Sequence, residues 1–198
     1  MKTLALDTSH RFLTIALIED DRLVAGLQQP SLKTQSETIM VQIERLFEEA
    51  GWKPTELNAL VLTDGPGSYT GLRISMTVAK VLGLVQGIKL YTLSSLQLLA
   101  GTQDDAYAVM DARAKRVYLG HYRNGLAVSD DTEITIEEAL TLIPNGAIVV
   151  GDATLVHQPE HSSDCLKSFI DLKAQWKPVD NVHTLVPRYL KDTDHYGL

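Results

Sequence analysis

The sequence predicts an α/β protein of two lobes, each a mixed sheet covered by helices. Three observations carry this. Apolar runs of strand length come in close succession over the first 27 residues, with turn residues between them. Segments of helical periodicity then alternate with short apolar runs, as expected for helices that cover a sheet. A weaker copy of this order begins after Gly101, and each copy opens with a strand ending in an aspartate, Asp7 and Asp111. The expected lobes are residues 1–100 and 101–198, the second a shortened version of the first.

The elements follow in order. Runs at 3–6, 12–18 and 23–27, with Glu19-Asp20-Asp21 as one turn, read as three antiparallel strands. Thr34-x-x-Glu37 has the form of a capping box, and Ile39, Met40, Ile43, Leu46, Phe47 and Ala50 then recur at helical spacing up to Gly51. A strand at 59–63, a glycine-rich loop at 64–71, a helix at 70–86, a strand at 90–93 and a short helix from Ser94 complete the first half. In the second half, strands at 106–110 and 116–123 precede the hairpin signal Asn124-Gly125. A returning strand at 126–128, a helix at 135–143 and a strand at 147–150 follow. Residues 152–186 carry mixed signals that assign no element.

The helix at 70–86 holds only two charges, Arg73 and Lys80. Gly71, Ser75, Ala79, Gly83 and Gly87 form a small-residue stripe, while Ile74, Val78, Val81, Leu82 and Val85 form a bulky one. The expectation is that the bulky stripe packs on the sheet and the small stripe meets another subunit. A helix apolar on both faces needs cover on both. It is short and interrupted for a membrane span.

Composition narrows the function. The 198 residues are 44% hydrophobic and 22% charged, which supports a folded core and excludes a disordered chain. A net charge of −7 argues against binding nucleic acid alone. One cysteine, Cys165, excludes a disulfide framework. The apolar start stops at Asp7, which is no signal peptide, so a cytoplasmic protein is expected.

Three motifs invite chemistry. The loop of Gly65, Pro66, Gly67 and Ser68 leads from a strand into a helix, where amides can cradle phosphate. It lacks the Gly-Lys-Ser/Thr of a Walker loop, the spacing of a dinucleotide fingerprint and the central serine of a nucleophile elbow. A tight turn that sets the helix entry is the plainer account. Asp7 and Asp111 can be read as a carboxylate pair for magnesium and phosphate, or each as a residue that ties down a strand end. His157-x-x-Glu160-His161 has the form of a metal-protease motif, but Pro159 breaks the helix it needs.

Taken together, Asp7-Thr8-Ser9, the run Gly65-Pro66-Gly67-Ser68-Tyr69-Thr70-Gly71-Leu72-Arg73-Ile74, Asp111-Ala112-Arg113 and Pro187-Arg188-Tyr189-Leu190-Lys191 resemble the TsaB (YeaZ) family. That family is the non-catalytic subunit of bacterial tRNA threonylcarbamoyladenosine synthesis. The resemblance covers residues 1–125 and the C-terminal motif, and the Gly-Pro-Gly-Ser-Tyr-Thr-Gly-Leu-Arg stretch is its specific part. It implies an actin-like, ribonuclease-H-like fold with no chemistry, cofactor or metal of its own. It also implies a TsaD-type transferase partner that carries the metal-binding histidines, with a small TsaE-type ATPase joining the pair. The tRNA would be reached only through the complex. Family subunits associate through their first two helices, with homodimers plausible for the isolated chain. Here the implied interface is Ile39, Met40, Ile43, Gly71, Arg73, Ser75, Ala79 and Gly83.

Three departures stand beside the resemblance. Thr8-Ser9 replaces the glycine usual in an actin-like first phosphate loop. The histidine pair of the transferase subunit is absent. The 152–186 region looks short. The rival reading is a small actin-fold ATPase or phosphotransferase using Asp7, Asp111 and the Gly65–Gly71 loop.

Overall fold

The computed structural model describes residues 1–31 and 34–190. Lys191, the last residue of the C-terminal motif, lies outside them. Strands β1 (Lys2–Asp7), β2 (Phe12–Glu19) and β3 (Arg22–Pro30) form an antiparallel meander, followed by helix α1 (Gln35–Ala50). Then come β4 (Ala59–Gly65), α2 (Tyr69–Gln86), β5 (Lys89–Ser94) and α3 (Ser95–Ala100). β4 runs parallel to both β1 and β5. The first sheet thus runs in the order β3-β2-β1-β4-β5.

The second half repeats the opening of the first. β6 (Ala106–Arg113) pairs antiparallel with β7 (Arg116–Arg123) and parallel with β10 (Ile148–Gly151), as β1 does with β2 and β4. β8 (Leu126–Ala127) and β9 (Thr132–Thr135) both pair with β7, and helix α4 (Ile136–Leu142) makes the crossover to β10. Asn124 and Gly125 both take positive φ, the geometry that a two-residue hairpin turn demands.

The 152–186 stretch, unassigned from sequence, contains helix α5 (Cys165–Asp171) and the short strand β11 (Lys177–Pro178). β11 joins the edge of the first sheet beside β5, so the chain returns to the lobe it left at residue 100. α5 also packs on β2 and β3.

The core has three parts. Leu4, Leu6, Leu13, Ile15 and Leu17 meet Ile39, Ile43, Leu46 and Phe47 of α1 on one face of the first sheet. Ala5, Ala16, Ile18 and Val61 on the other face join α3, β6, β7 and α5 in a cluster shared by both lobes. The third cluster lies under α4.

Two local expectations need correction. Gly51 does end α1 in a left-handed conformation, at φ 66°. The capping box at its start, however, does not form: Thr34 captures no amide with its side chain. Its hydroxyl lies 3.2 Å from the Ser31 hydroxyl instead.

The second correction concerns α2, whose small-residue stripe turns inward rather than toward another subunit. Gly71, Ser75, Ala79 and Gly83 face the chain's own sheet and are buried. A Cβ at Gly71 would overlap the Thr8 carbonyl oxygen, and one at Gly83 would sit 2.9 Å from Leu90 Cδ1. The small residues let α2 lie close on its own lobe. The bulky stripe is split: Ile74, Val78 and Leu82 are half-buried against the core of the first lobe, while Val81 is 54% and Val85 78% exposed.

Candidate functional site

The Gly65–Ser68 loop is held by its own chain. The Ser68 N–H donates to the Ser9 carbonyl at 2.7 Å, and the Thr8 hydroxyl donates to the Gly71 carbonyl at 2.6 Å. The Ser68 hydroxyl caps α2 by accepting from the Gly71 N–H at 3.2 Å. Gly67, at φ 152°, has no room for a Cβ beside Ser9. The Arg188 N–H donates to the Asp64 carbonyl at 2.7 Å, and its guanidinium donates to the Gly65 carbonyl at 2.8 Å. The loop is a joint between β4, the β1–β2 turn and the C-terminal segment.

The two candidate aspartates are each tied to their own turns. Asp7 is buried and accepts from the Ser9 N–H at 3.0 Å and the Thr63 hydroxyl at 2.5 Å. Asp111 accepts from the Arg113 N–H at 2.8 Å and pairs with the Arg113 guanidinium at 2.9 Å. Between the lobes, Asp152 accepts from the Asp111 N–H at 2.8 Å and lies 3.0 Å from His10 Nε2. Arg11 pairs with Glu160.

A nucleotide phosphate does not fit this arrangement. The turn that would cradle it presents Thr8 and Ser9 packed on the glycine loop, and the Ser68 amide is already used. His10 and Asp152 bridge across it.

His157, Glu160 and His161 are not brought together as a metal set. His157 ends a short 3-10 turn in left-handed conformation, Glu160 is bound to Arg11, and His161 makes an isolated bridge to Val150. Among the described residues, no group of three or more histidine, cysteine, aspartate or glutamate side chains is placed to hold a metal.

The other candidate site is the outer face of the α1–α2 pair. Of the eight residues expected at an interface, six point inward: Ile39 and Ile43 into the core under α1, and Gly71, Ser75, Ala79 and Gly83 against the sheet. Only Met40 and Arg73 are exposed. The exposed apolar side chains of the two helices are instead Met40 and Val41 on α1 and Val81, Leu84 and Val85 on α2. On α2, Tyr69, Arg73, Thr77, Val81 and Val85 follow at intervals of four along one exposed line. Sequence periodicity separated the two stripes but did not tell which one met the sheet.

Two comparisons bear on this geometry. The family model for TsaD, tRNA N6-adenosine threonylcarbamoyltransferase, matches residues 30–175. The TsaB protein of Bacillus subtilis is 33% identical over 96% of this chain and 94% of its own length. The chain belongs to the TsaB (YeaZ) family.

TsaB of Escherichia coli is 29% identical over 69% of the chain and 63% of its own length. The YeaZ structure from Pseudomonas aeruginosa superposes with a TM-score of 0.78 at 22% identity, over 96% of this chain and 99% of that one, and shares its fold. These near-complete overlaps mean that a shortened second half does not distinguish this chain from the Bacillus and Pseudomonas TsaB proteins.

Proposed function

We propose that this chain acts in tRNA threonylcarbamoyladenosine biosynthesis as an accessory, non-catalytic subunit. It pairs with a TsaD-type transferase subunit through the outer face of α1 and α2 and supports threonylcarbamoyl transfer to the adenosine beside the anticodon. A TsaE-type ATPase joins the pair, and tRNA is reached only through the complex, which is cytoplasmic. The family assignment supports the pathway. The observation that supports the pairing is the group of exposed apolar side chains Val81, Leu84 and Val85 on α2, with Val85 at 78% exposure. Bulky apolar side chains gathered on one helix face mark an interaction surface. Among the described residues no helix is long and apolar enough to cross a membrane. The acidic balance of −7 leaves tRNA affinity to the other subunits.

The test is co-purification with the TsaD-type subunit of the same organism. Val85→Asp puts a charge among the exposed apolar side chains at the end of α2 and abolishes the complex on size-exclusion chromatography. Being exposed, it leaves stability within about 0.5 kcal/mol of the parent chain. If the isolated parent chain is a homodimer, the same substitution makes it a monomer. Full complex formation by a folded Val85→Asp chain overturns the reading of this face. A small-residue substitution such as Ala79→Glu does not test it, because Ala79 is fully buried against the sheet.

A further inference from the structure

The segment 185–190 does more than end the described chain. Leu185 is buried in the core of the first lobe, and Leu190 packs on the cluster between the lobes. Arg188 lies between them as the anchor. Its guanidinium donates at 2.8 Å both to the Gly65 carbonyl and to Asp131, whose side chain is only 4% exposed. Asp131 in turn accepts from the Ser94 hydroxyl at 2.7 Å and from the Tyr122 hydroxyl. Gly65 takes φ 128°, and a Cβ there would overlap the Arg188 carbonyl oxygen. The glycine loop is therefore shaped to receive this strap.

The strap also alters the outer face. The Tyr189 ring stacks on Tyr69, the first residue of α2, with centroids 5.5 Å apart and planes at 21°. The Arg73 guanidinium lies 4.2 Å from the Tyr69 ring centroid. Tyr69 is 56%, Tyr189 46% and Val186 66% exposed. A stacked tyrosine pair with an adjoining guanidinium thus sits at one end of the same line that carries Val81 and Val85.

We infer that the strap is a working part of the partner face: Arg188 fixes it, and Tyr189 with Tyr69 and Arg73 forms a preordered anchor that meets a carboxylate-bearing, apolar surface of the partner subunit. Tyrosine and arginine are the side chains that carry most energy at protein interfaces. Stacking them before association lowers the ordering cost of binding. Arg73 and Lys80 are the only charges of α2, so the exposed guanidinium selects for an acidic group opposite. Arg188 is a positioning residue that acts through Tyr189. The inference rests on the reading of α1–α2 as the face for the TsaD-type subunit.

The experiment measures the affinity of the full chain for that subunit by titration calorimetry. Tyr189→Ala and Tyr69→Ala each weaken binding at least tenfold, and the double variant loses little more than either, because the rings act as a pair. Arg188→Ala weakens binding as much, and its effect largely vanishes in the Tyr189→Ala background, which a merely structural role would not produce. Arg188→Lys recovers only part, since an ammonium on a flexible stem does not hold the fixed position of Nη2, the one nitrogen from which both bonds are made. If Arg188→Ala fails to fold, the exposed Tyr189→Ala carries the test alone. Parent-like binding by Tyr189→Ala alongside loss in Val85→Asp overturns this inference and leaves the face standing. Parent-like binding by both overturns the face, and this inference with it.

Discussion

Asp152 stands just past β10 and uses both oxygens, one toward His10 across the gap between the lobes and one toward the Asp111 amide on the neighbouring strand β6. Burial works against its charged form, but the His10 and Asp111 hydrogen bonds and the charges of His10 and Arg11 outweigh that. The carboxyl is held below its ordinary value of 3.8. The unfolded chain then binds more protons than the folded one just below that value. The contribution is therefore complete above about pH 4 and is lost as pH falls through the lowered folded value. His10→Ala removes one partner while burial remains, so the Asp152 carboxyl rises and acid unfolding begins at higher pH. A carbon-detected NMR titration of Asp152 checks this; an unchanged midpoint in His10→Ala excludes the account. None of this pairing was legible in the sequence. Asp7 and Asp111 were conspicuous as strand-end acids, whereas His10 and Asp152 are 142 positions apart and share no spacing that periodicity or a motif can read.

At the scale of elements, the two capping sequences make a direct comparison. Thr34-x-x-Glu37 has the pattern but captures no amide. Thr135-x-x-Glu138 at the start of α4 closes in both directions: the Glu138 N–H donates to the Thr135 hydroxyl at 3.1 Å, and the Thr135 N–H donates to Glu138 Oε2 at 2.8 Å. Thr135→Ala therefore costs about 1 kcal/mol in denaturant unfolding, and Thr34→Ala less than about 0.5 kcal/mol. Equal costs would mean that the pattern, and not the closed hydrogen bonds, sets the energy. The same limit explains α2. Spacing groups residues onto faces, but both faces were apolar, and the choice fell to a close approach between Gly71 and the Thr8 carbonyl. That contact joins residues 63 positions apart, which spacing within the helix cannot register. The helices and strands of the first half were readable because each is several residues long and strongly periodic. α5 has 7 residues and β11 has 2, too few to display a period.

At the scale of the molecule, the repeat suggests two lobes that fold separately, and the packing argues otherwise. The cluster between the sheets draws Ala5, Ala16, Ile18 and Val61 from the first sheet and Ala106, Ala108, Met110, Tyr118 and Tyr122 from the second. Phe169, Leu172 and Trp176 fill it from the C-terminal third, where the Trp176 indole N–H donates to the Phe169 carbonyl at 3.1 Å. β11 and Leu185 then complete the first lobe from beyond residue 176. A fragment of residues 1–104 would expose one whole face of its sheet together with α3, whose six residues are all buried in the full chain. Small domains bury too little of their surface to tolerate such a loss. The fragment is therefore expected to show secondary structure in far-UV circular dichroism, with little near-UV signal, strong binding of a hydrophobic dye and no cooperative unfolding in urea. A sharp urea transition and dispersed amide resonances from that fragment would show that the first lobe stands alone. In that case the proposed partner face on α1 and α2 would be independent of the strap that ends the chain. The expected failure instead makes that face a property of the complete molecule, since the helices that bear it rest on a sheet which the second lobe and the C-terminal segment both cover.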